Sequence, residues 1–316
     1  MKLKNINNPV FKDLQKLNLI DKKNIYLINK YTRDKKINVY QDKLSRIIFL
    51  EKFVRRDDYY TSQKGLTRSN EKSLTYFRDG SVLKTSKVNY SNYRNSNKDN
   101  IVGDDIRRYK KFKKFLKKKN ICDFGCGYAG FLSLAKKSTQ NLNGVELNDT
   151  FLEYLSKKKK FIKLKNKIES FSEKFDVVTL FHVLEHLPNQ LEILKIIRDK
   201  LKPKGKIIIE VPHAKDLILE NLNIPEFKNF IFWSEHLVLH TKESLIKFLK
   251  YSGFKNIKIE FCQRYGITNH LNWYVEKKPG GHESLKHLYN QQFDINYKKF
   301  LEKKELSDTI IAIAEK

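Results

Sequence analysis

The rhythm of apolar and polar positions changes near residue 100. Before it, aromatic stretches of mixed polarity predict two short strands, 24–28 and 37–50, the second ending in the run Ile47-Ile48-Phe49-Leu50. Residues 61–100 are rich in Ser, Asn, Lys and Tyr and read as an extended polar connection. After it the pattern becomes regular. A basic helix over 104–118 leads to a strand at 119–124, a glycine turn and a helix running to about 137. Strands follow at 142–147, 161–164, 176–181 and 206–211, with helices at 149–158 and 190–201. The run Asp176-Val177-Val178-Thr179-Leu180-Phe181 is apolar almost throughout, as a strand covered on both faces of a parallel sheet requires. Strands alternating with helices imply parallel pairing through right-handed crossovers. An irregular segment, 213–240, precedes a helix over 241–251 that Thr241 caps and Gly253 stops, then a strand at 254–261. A charged helix within 266–305 and a closing strand at 309–314 complete the pattern.

The expected organisation is an N-terminal accessory segment, 1–100, and an α/β domain, 101–316, with an insertion before the last strand. Composition adds little to this. A hydrophobic share of 40% supports a packed core. Lys and Arg outnumber Asp and Glu by 64 to 36, a formal charge of +28. Such an excess admits a nucleic-acid partner. It does not favour one, because the positive residues are dispersed and their densest runs, Arg107–Lys119 and Lys157–Lys160, read as solvated helix faces. A phosphorylated small acceptor fits the charge equally well. Cys122, Cys126 and Cys262 form no Cys-x-x-Cys pair, which argues against a zinc ribbon or a disulfide framework. The N-terminal residues lack the apolar run of a signal peptide, and no stretch reaches the roughly 18 apolar residues of a membrane span. A cytoplasmic location is the expectation.

The chemistry begins at Asp123-Phe124-Gly125-Cys126-Gly127-Tyr128-Ala129-Gly130, which follows a strand and opens a helix. The glycines permit a tight turn and close approach of backbone to ligand. The same spacing fits a dinucleotide fingerprint, with Glu146 as its ribose-binding acid. A carboxylate at Asp123, however, suits the ammonium of a methionine moiety better than a pyrophosphate. In its order of elements the chain resembles the class I S-adenosylmethionine-dependent methyltransferases. The resemblance covers 104–262, with 308–315 as the final strand, and implies their Rossmann-like sheet with helices on both faces. It implies S-adenosylmethionine as cofactor, held by Asp123, Gly125, Cys126, Gly127, Tyr128, Glu146 and Leu147, and by Phe181 and His182 at the end of the fourth strand.

Methyl transfer also needs a group that takes a proton from the acceptor, a task suited to histidine near neutral pH. His182-Val183-Leu184-Glu185-His186 stands at the carboxyl end of the fourth strand. It matches an inverted zinc-protease motif, but lies in a strand-to-helix turn and not in a long helix. It is also similar to a metal-binding Glu-x-x-Glu-His pattern of some RNA-terminal methyltransferases, with His182 replacing the first Glu. No metal ligands are assigned, and a Glu/His site at Glu185 and His186 stays open. Trp233-Ser234-Glu235-His236 resembles the aromatic-x-Glu-His segment of sugar C-methyltransferases acting on nucleotide-linked sugars. That resemblance implies His186 and His236 as base candidates, with His182 nearby, Glu235 as orienting partner and Trp233 as a sugar-facing wall. Those enzymes carry an N-terminal cysteine-rich zinc module, and no cysteine precedes Cys122 here, so O-methylation stands beside C-methylation. Arg264-Tyr265, Asn269-His270-Leu271-Asn272-Trp273 and His282 form a third polar-aromatic group suited to a sugar. The expected acceptor is thus a sugar, nucleotide-sugar or glycan unit of surface polysaccharide, entering past segments 213–240 and 263–306. An RNA or tRNA methyltransferase and a non-catalytic partner protein of the same fold are the alternatives.

Overall fold

A computed structural model describes residues 6–54, 75–76, 82–83 and 101–316. Most of the polar connection read at 61–100, and the boundary expected near residue 100, lie outside the described residues. The chain divides into two compact units. The first comprises Met1–Val54, His182–Leu194 and Ile209–Ala314; the second comprises Arg55–Phe181, Lys195–Ile208 and Glu315–Lys316.

Thirteen strands are described. They are β1 (Ile25–Asn29), β2 (Val39–Asp42), β3 (Ile48–Leu50), β4 (Thr75–Tyr76), β5 (Val82–Leu83), β6 (Asn120–Phe124), β7 (Asn141–Val145), β8 (Lys163–Lys165), β9 (Phe175–Phe181), β10 (Leu201–Pro212), β11 (Val238–Leu239), β12 (Lys255–Cys262) and β13 (Thr309–Glu315). Seven form one mixed sheet in the order β12-β13-β10-β9-β6-β7-β8, with β6 parallel to both β7 and β9 and β7 parallel to β8. With its flanking helices this is the Rossmann-like architecture expected from the sequence.

Within the second unit, β6 is buried at every position and β9 at all but one, which is why neither alternates with the period of two of a half-exposed strand. Edge strand β8 carries lysines at its ends, a common protection of an open edge. Helices α2 (Gly103–Leu116), α3 (Gly130–Ala135), α4 (Asp149–Lys158) and most of α5 (Gln190–Lys200) belong here. Asn148 caps α4 by accepting from the Phe151 amide at 3.1 Å. The register sets Asp123 of β6 beside Thr179 of β9 on one side and Gly144 of β7 on the other.

The first unit contains a second sheet, β1-β2-β3-β11, antiparallel throughout. The single strand expected over 37–50 is instead a hairpin. Asp42 turns the chain by accepting from the Leu44 and Ser45 amides at 3.0 and 2.9 Å, and Arg46 adopts φ +60°. The apolar periodicity of Ile47–Leu50 hid this turn. Also unforeseen are α1 (Val10–Lys16), α6 (Pro225–Ile231) and α8 (Ile267–Glu276). Helix α7 (Lys242–Tyr251) has the expected cap, Thr241 accepting from the Ser244 amide at 3.3 Å. It packs on β12 together with α10 (Gln291–Lys303). Strand β11 belongs to the late segment 213–240 yet pairs with β3 through Val238 and Phe49. Asn8 reinforces that joint, its side-chain amide donating at 2.9 Å to the carbonyls of both Leu50 and Leu237.

Candidate active site

The glycine turn is built within the second unit. Gly125 and Gly127 adopt φ +78° and +52°, values that favour glycine. Their geometry is fixed from β7: the Gly125 and Cys126 amides donate to the Val145 carbonyl at 2.8 and 3.0 Å, and the Gly127 amide to Glu146 Oε2 at 2.8 Å. Glu146 Oε1 accepts from the Asn148 amide at 2.9 Å. Burial raises the Glu146 carboxyl above its ordinary value, against these backbone donors. A Cβ added at Gly127 would meet nothing within 4 Å, so the turn faces open space. Asp123, only 4% exposed, accepts from the Thr179 hydroxyl at 2.6 Å. Burial pushes its carboxyl up to about 7, opposed by the Thr179 hydrogen bond and the Arg108 charge.

The other expected cofactor residues divide by role. Cys126 is buried, with Sγ in the space that a Cβ on Gly144 would need, so its side chain fills core. Tyr128 is buried against the Phe151 and Tyr154 rings, at 4.6 and 5.7 Å between centroids. Phe181 packs edge-on against Phe131 at 4.9 Å, under the Arg108 guanidinium. Leu147 is half exposed directly after Glu146. A cavity of about 730 Å³ opens elsewhere in this unit, around Lys136, Asn141 and Lys163. It includes no residue of the turn, and its rim carries none of the expected chemistry.

A second constellation lies within the first unit. His182 begins it with φ +56°, an uncommon conformation for a residue with a Cβ. Its amide donates to the Glu210 carbonyl at 2.8 Å. Leu184–His186 then form a single 3-10 turn that includes Glu185 and His186. Glu185 is fully buried. Its Oε1 lies 3.1 Å from His182 Nδ1 and 3.9 Å from His186 Nε2. The segment before β11 is joined to this turn by the Leu237 amide, which donates to the Glu185 carbonyl at 2.8 Å. That bond sets His236 edge-on to His186, with ring centroids 4.7 Å apart. Burial alone would raise the Glu185 carboxyl, but the His182 hydrogen bond and the charges of His186, His182 and His236 outweigh it and bring it down to about 2. Arg264, paired with Asp308 at 3.0 Å, points Nη1 at His182 Nε2 from 3.3 Å. The same Nε2 also lies 3.5 Å from the buried Glu210 Oε1, so His182 bridges two carboxylates, Glu185 and Glu210.

Three of the sequence-singled histidines, His182, His186 and His236, therefore come together. The carboxylate at their centre is Glu185, which the sequence reading left unassigned in favour of Glu235; the signal was its place between two histidines. Half-buried Trp233 has the Arg33 guanidinium 4.3 Å from its ring centre. The third polar-aromatic group is corrected by the structure. Trp273 is 2% exposed, packed at 5.0 Å between ring centres against both Phe227 and Phe230 in the core of the first unit. It cannot present an indole to a sugar. Asn272 and His270 are likewise buried, Asn272 donating to the Lys278 carbonyl at 2.7 Å and His270 bonded to the Tyr297 hydroxyl at 2.7 Å. Helical spacing placed these polar groups inward, where each is satisfied internally.

A strand-end carboxylate, a glycine turn tied to an acid on the next strand, and a parallel order centred on β6 define a methyltransferase-type α/β domain. The chain belongs to the methyltransferase domain family, whose pattern matches residues 98–259, just over half of it. It is 32% identical over 134 residues, or 42% of its length, to an uncharacterized protein of Methanocaldococcus jannaschii. It is 34% identical over 101 residues, or 28% of its length, to a ubiquinone biosynthesis O-methyltransferase of Actinobacillus pleuropneumoniae. The chain spans 57% and 43% of those two proteins. A solved S-adenosylmethionine-dependent methyltransferase of Archaeoglobus fulgidus is similar at a TM-score of 0.43 and 20% identity, over 67% of this chain and 91% of that one. No helix among the described residues is long and apolar enough to cross a membrane.

Proposed function

We propose that the protein transfers the methyl group of S-adenosylmethionine to a small hydroxyl-bearing acceptor, a sugar, nucleotide-sugar or glycan unit. The observation that carries this reading is the hydrogen bond from the Gly127 amide to Glu146, which couples a ribose-binding acid to a turn with open space in front of it. The residues fit the cofactor. Asp123 offers a buried carboxylate to an ammonium, and the Glu146 oxygens keep lone pairs for two ribose hydroxyls after accepting from Gly127 and Asn148. Bound there, S-adenosylmethionine supplies an electrophilic methyl on a sulfonium. Phe181 and Leu147 offer apolar surface to an adenine, and Gly125 and Gly127 let the backbone approach.

The imidazole–carboxylate group of His182, Glu185, His186 and His236 stabilises the acceptor as it gives up its proton. Glu185 orients the His182 and His186 rings, and Glu235 is the proposed orienting partner of His236. A sugar acceptor is supported by the aromatic-x-Glu-His segment at 233–236, with Trp233 beside it. The test is transfer of tritiated methyl into nucleotide-sugar and polysaccharide pools. His236→Ala is expected to lower turnover by about 10²–10⁴-fold, with cofactor binding retained. Labelling of none of these pools would refute the acceptor class. The charge of +28 admits one other reading, methyl transfer to RNA, which steeply salt-dependent RNA binding would support.

A further inference from the structure

We infer that Glu185, His186 and His236 hold a divalent transition-metal ion. The inference goes beyond the proposed methyl transfer and rests on geometry alone. One ligand atom from each of the three residues can be chosen so that all lie within 4.8 Å of one another. Ligands bound at about 2.0–2.2 Å in a tetrahedral site stand roughly 3.4 Å apart, so a small side-chain movement closes the set. Glu185 gives the second, independent sign. It is fully buried, Oε1 is engaged by His182, and Oε2 has no hydrogen-bond partner among the described residues. A buried carboxylate oxygen left in this way is costly unless something positive completes it. His182 does not enter the set. It stands behind it, with Nδ1 3.1 Å from Glu185 Oε1, as outer-sphere groups do when they orient a ligating carboxylate.

The frame is held before any ion arrives. The 2.8 Å bond from the Leu237 amide to the Glu185 carbonyl locks together the two backbone segments that carry the ligands. Two imidazoles and one carboxylate, with no thiolate, suit borderline ions such as zinc or cobalt. The His186 side chain is 21% exposed, so the remaining coordination positions can reach water or an acceptor oxygen.

The test uses the full-length, tag-free protein, stripped with a chelator and titrated with cobalt(II) and with zinc(II) alone, read by calorimetry and by cobalt d–d absorption. Saturable binding of one ion per chain is expected, with a rise in thermal midpoint. Glu185→Gln and His236→Ala should each weaken binding at least tenfold, while His287→Ala, on an exposed turn, leaves it unchanged. Circular dichroism establishes that each variant folds, and if Glu185→Gln does not, His236→Ala carries the test. Absence of saturable binding to the wild-type protein, or equal binding by folded His236→Ala, overturns the inference. Neither outcome depends on methyl transfer, so the proposed activity and the metal site fail separately.

Discussion

The glycine turn and the imidazole group are built in opposite ways. The turn is local: residues 123–130 make it in one continuous run, and Glu146 comes from the neighbouring strand. The imidazole group is assembled from residues far apart in sequence. His182, Glu185 and His186 arrive from one segment and His236 from another. The second segment is held by β3 and by Asn8, which bonds to Leu237 across 229 residues of sequence. A local device depends on the conformation of a few backbone positions. An assembled one depends on every element that docks its parts.

That contrast predicts where each can be damaged. The largest effect is expected from Trp273→Ala, which empties the contact with Phe227 and Phe230. Loss of about 3–5 kcal/mol of stability is expected from a buried Trp deletion, read by denaturant melts, with S-adenosylmethionine affinity unchanged in protein that remains folded. A stable variant with a selective loss of turnover would return Trp273 to the acceptor side. Next, Asp123→Ala should weaken S-adenosylmethionine binding on the order of 100-fold, the loss of a charge-assisted contact of about 2–3 kcal/mol. Unchanged affinity by calorimetry would remove the turn from the cofactor site.

Asn8→Ala should cost about 1–3 kcal/mol by leaving the Leu50 and Leu237 carbonyls without their shared buried donor. It should lower turnover without changing cofactor affinity, since it loosens the support of His236 and leaves β6 and β7 untouched. A parallel loss of cofactor binding would show that the contrast is overdrawn. The smallest effect is a pH dependence confined to the turn. Folding raises Asp123 to about 7 from an ordinary 3.8, so this group contributes stability at low pH that disappears as pH rises through 7. A bound ammonium favours the charged carboxylate, so ligand affinity moves the other way. Affinity for the demethylated product, S-adenosylhomocysteine, should rise about tenfold between pH 6 and pH 8, and Asp123→Asn should abolish the rise.

The same contrast explains what could be read in advance. Asp123, the glycines and Glu146 were legible because strand, turn and helix leave a signature at fixed spacing. The sheet was legible because strands buried on both faces, such as β6 and β9, cannot alternate. His186 and His236 could be named separately, but their meeting depends on a 3-10 turn and a short β11 that no periodicity announces. Glu185 stays only an open metal-ligand candidate in the sequence, because sequence gives no sign of whether a carboxylate in an apolar-flanked turn points out or in. Trp273 was misread for the complementary reason. Beside Asn and His it looked like a binding face, but helix α8 turns all three inward, where packing and internal hydrogen bonds satisfy them. The turn at Asp42 escaped notice because its Asx geometry interrupts a run otherwise rich in strand-formers.

The pairing of Val238 with Phe49 also constrains the order in which the molecule comes into being. During translation the apolar edge formed by Ile48, Phe49 and Leu50 leaves the ribosome long before the residues that will cover it exist. Distant pairing of this kind slows folding and exposes the growing chain to sticking. Strand β3 therefore waits for β11 to be made, and the histidine-bearing loop that this pairing anchors becomes competent only after residue 239 has been synthesised.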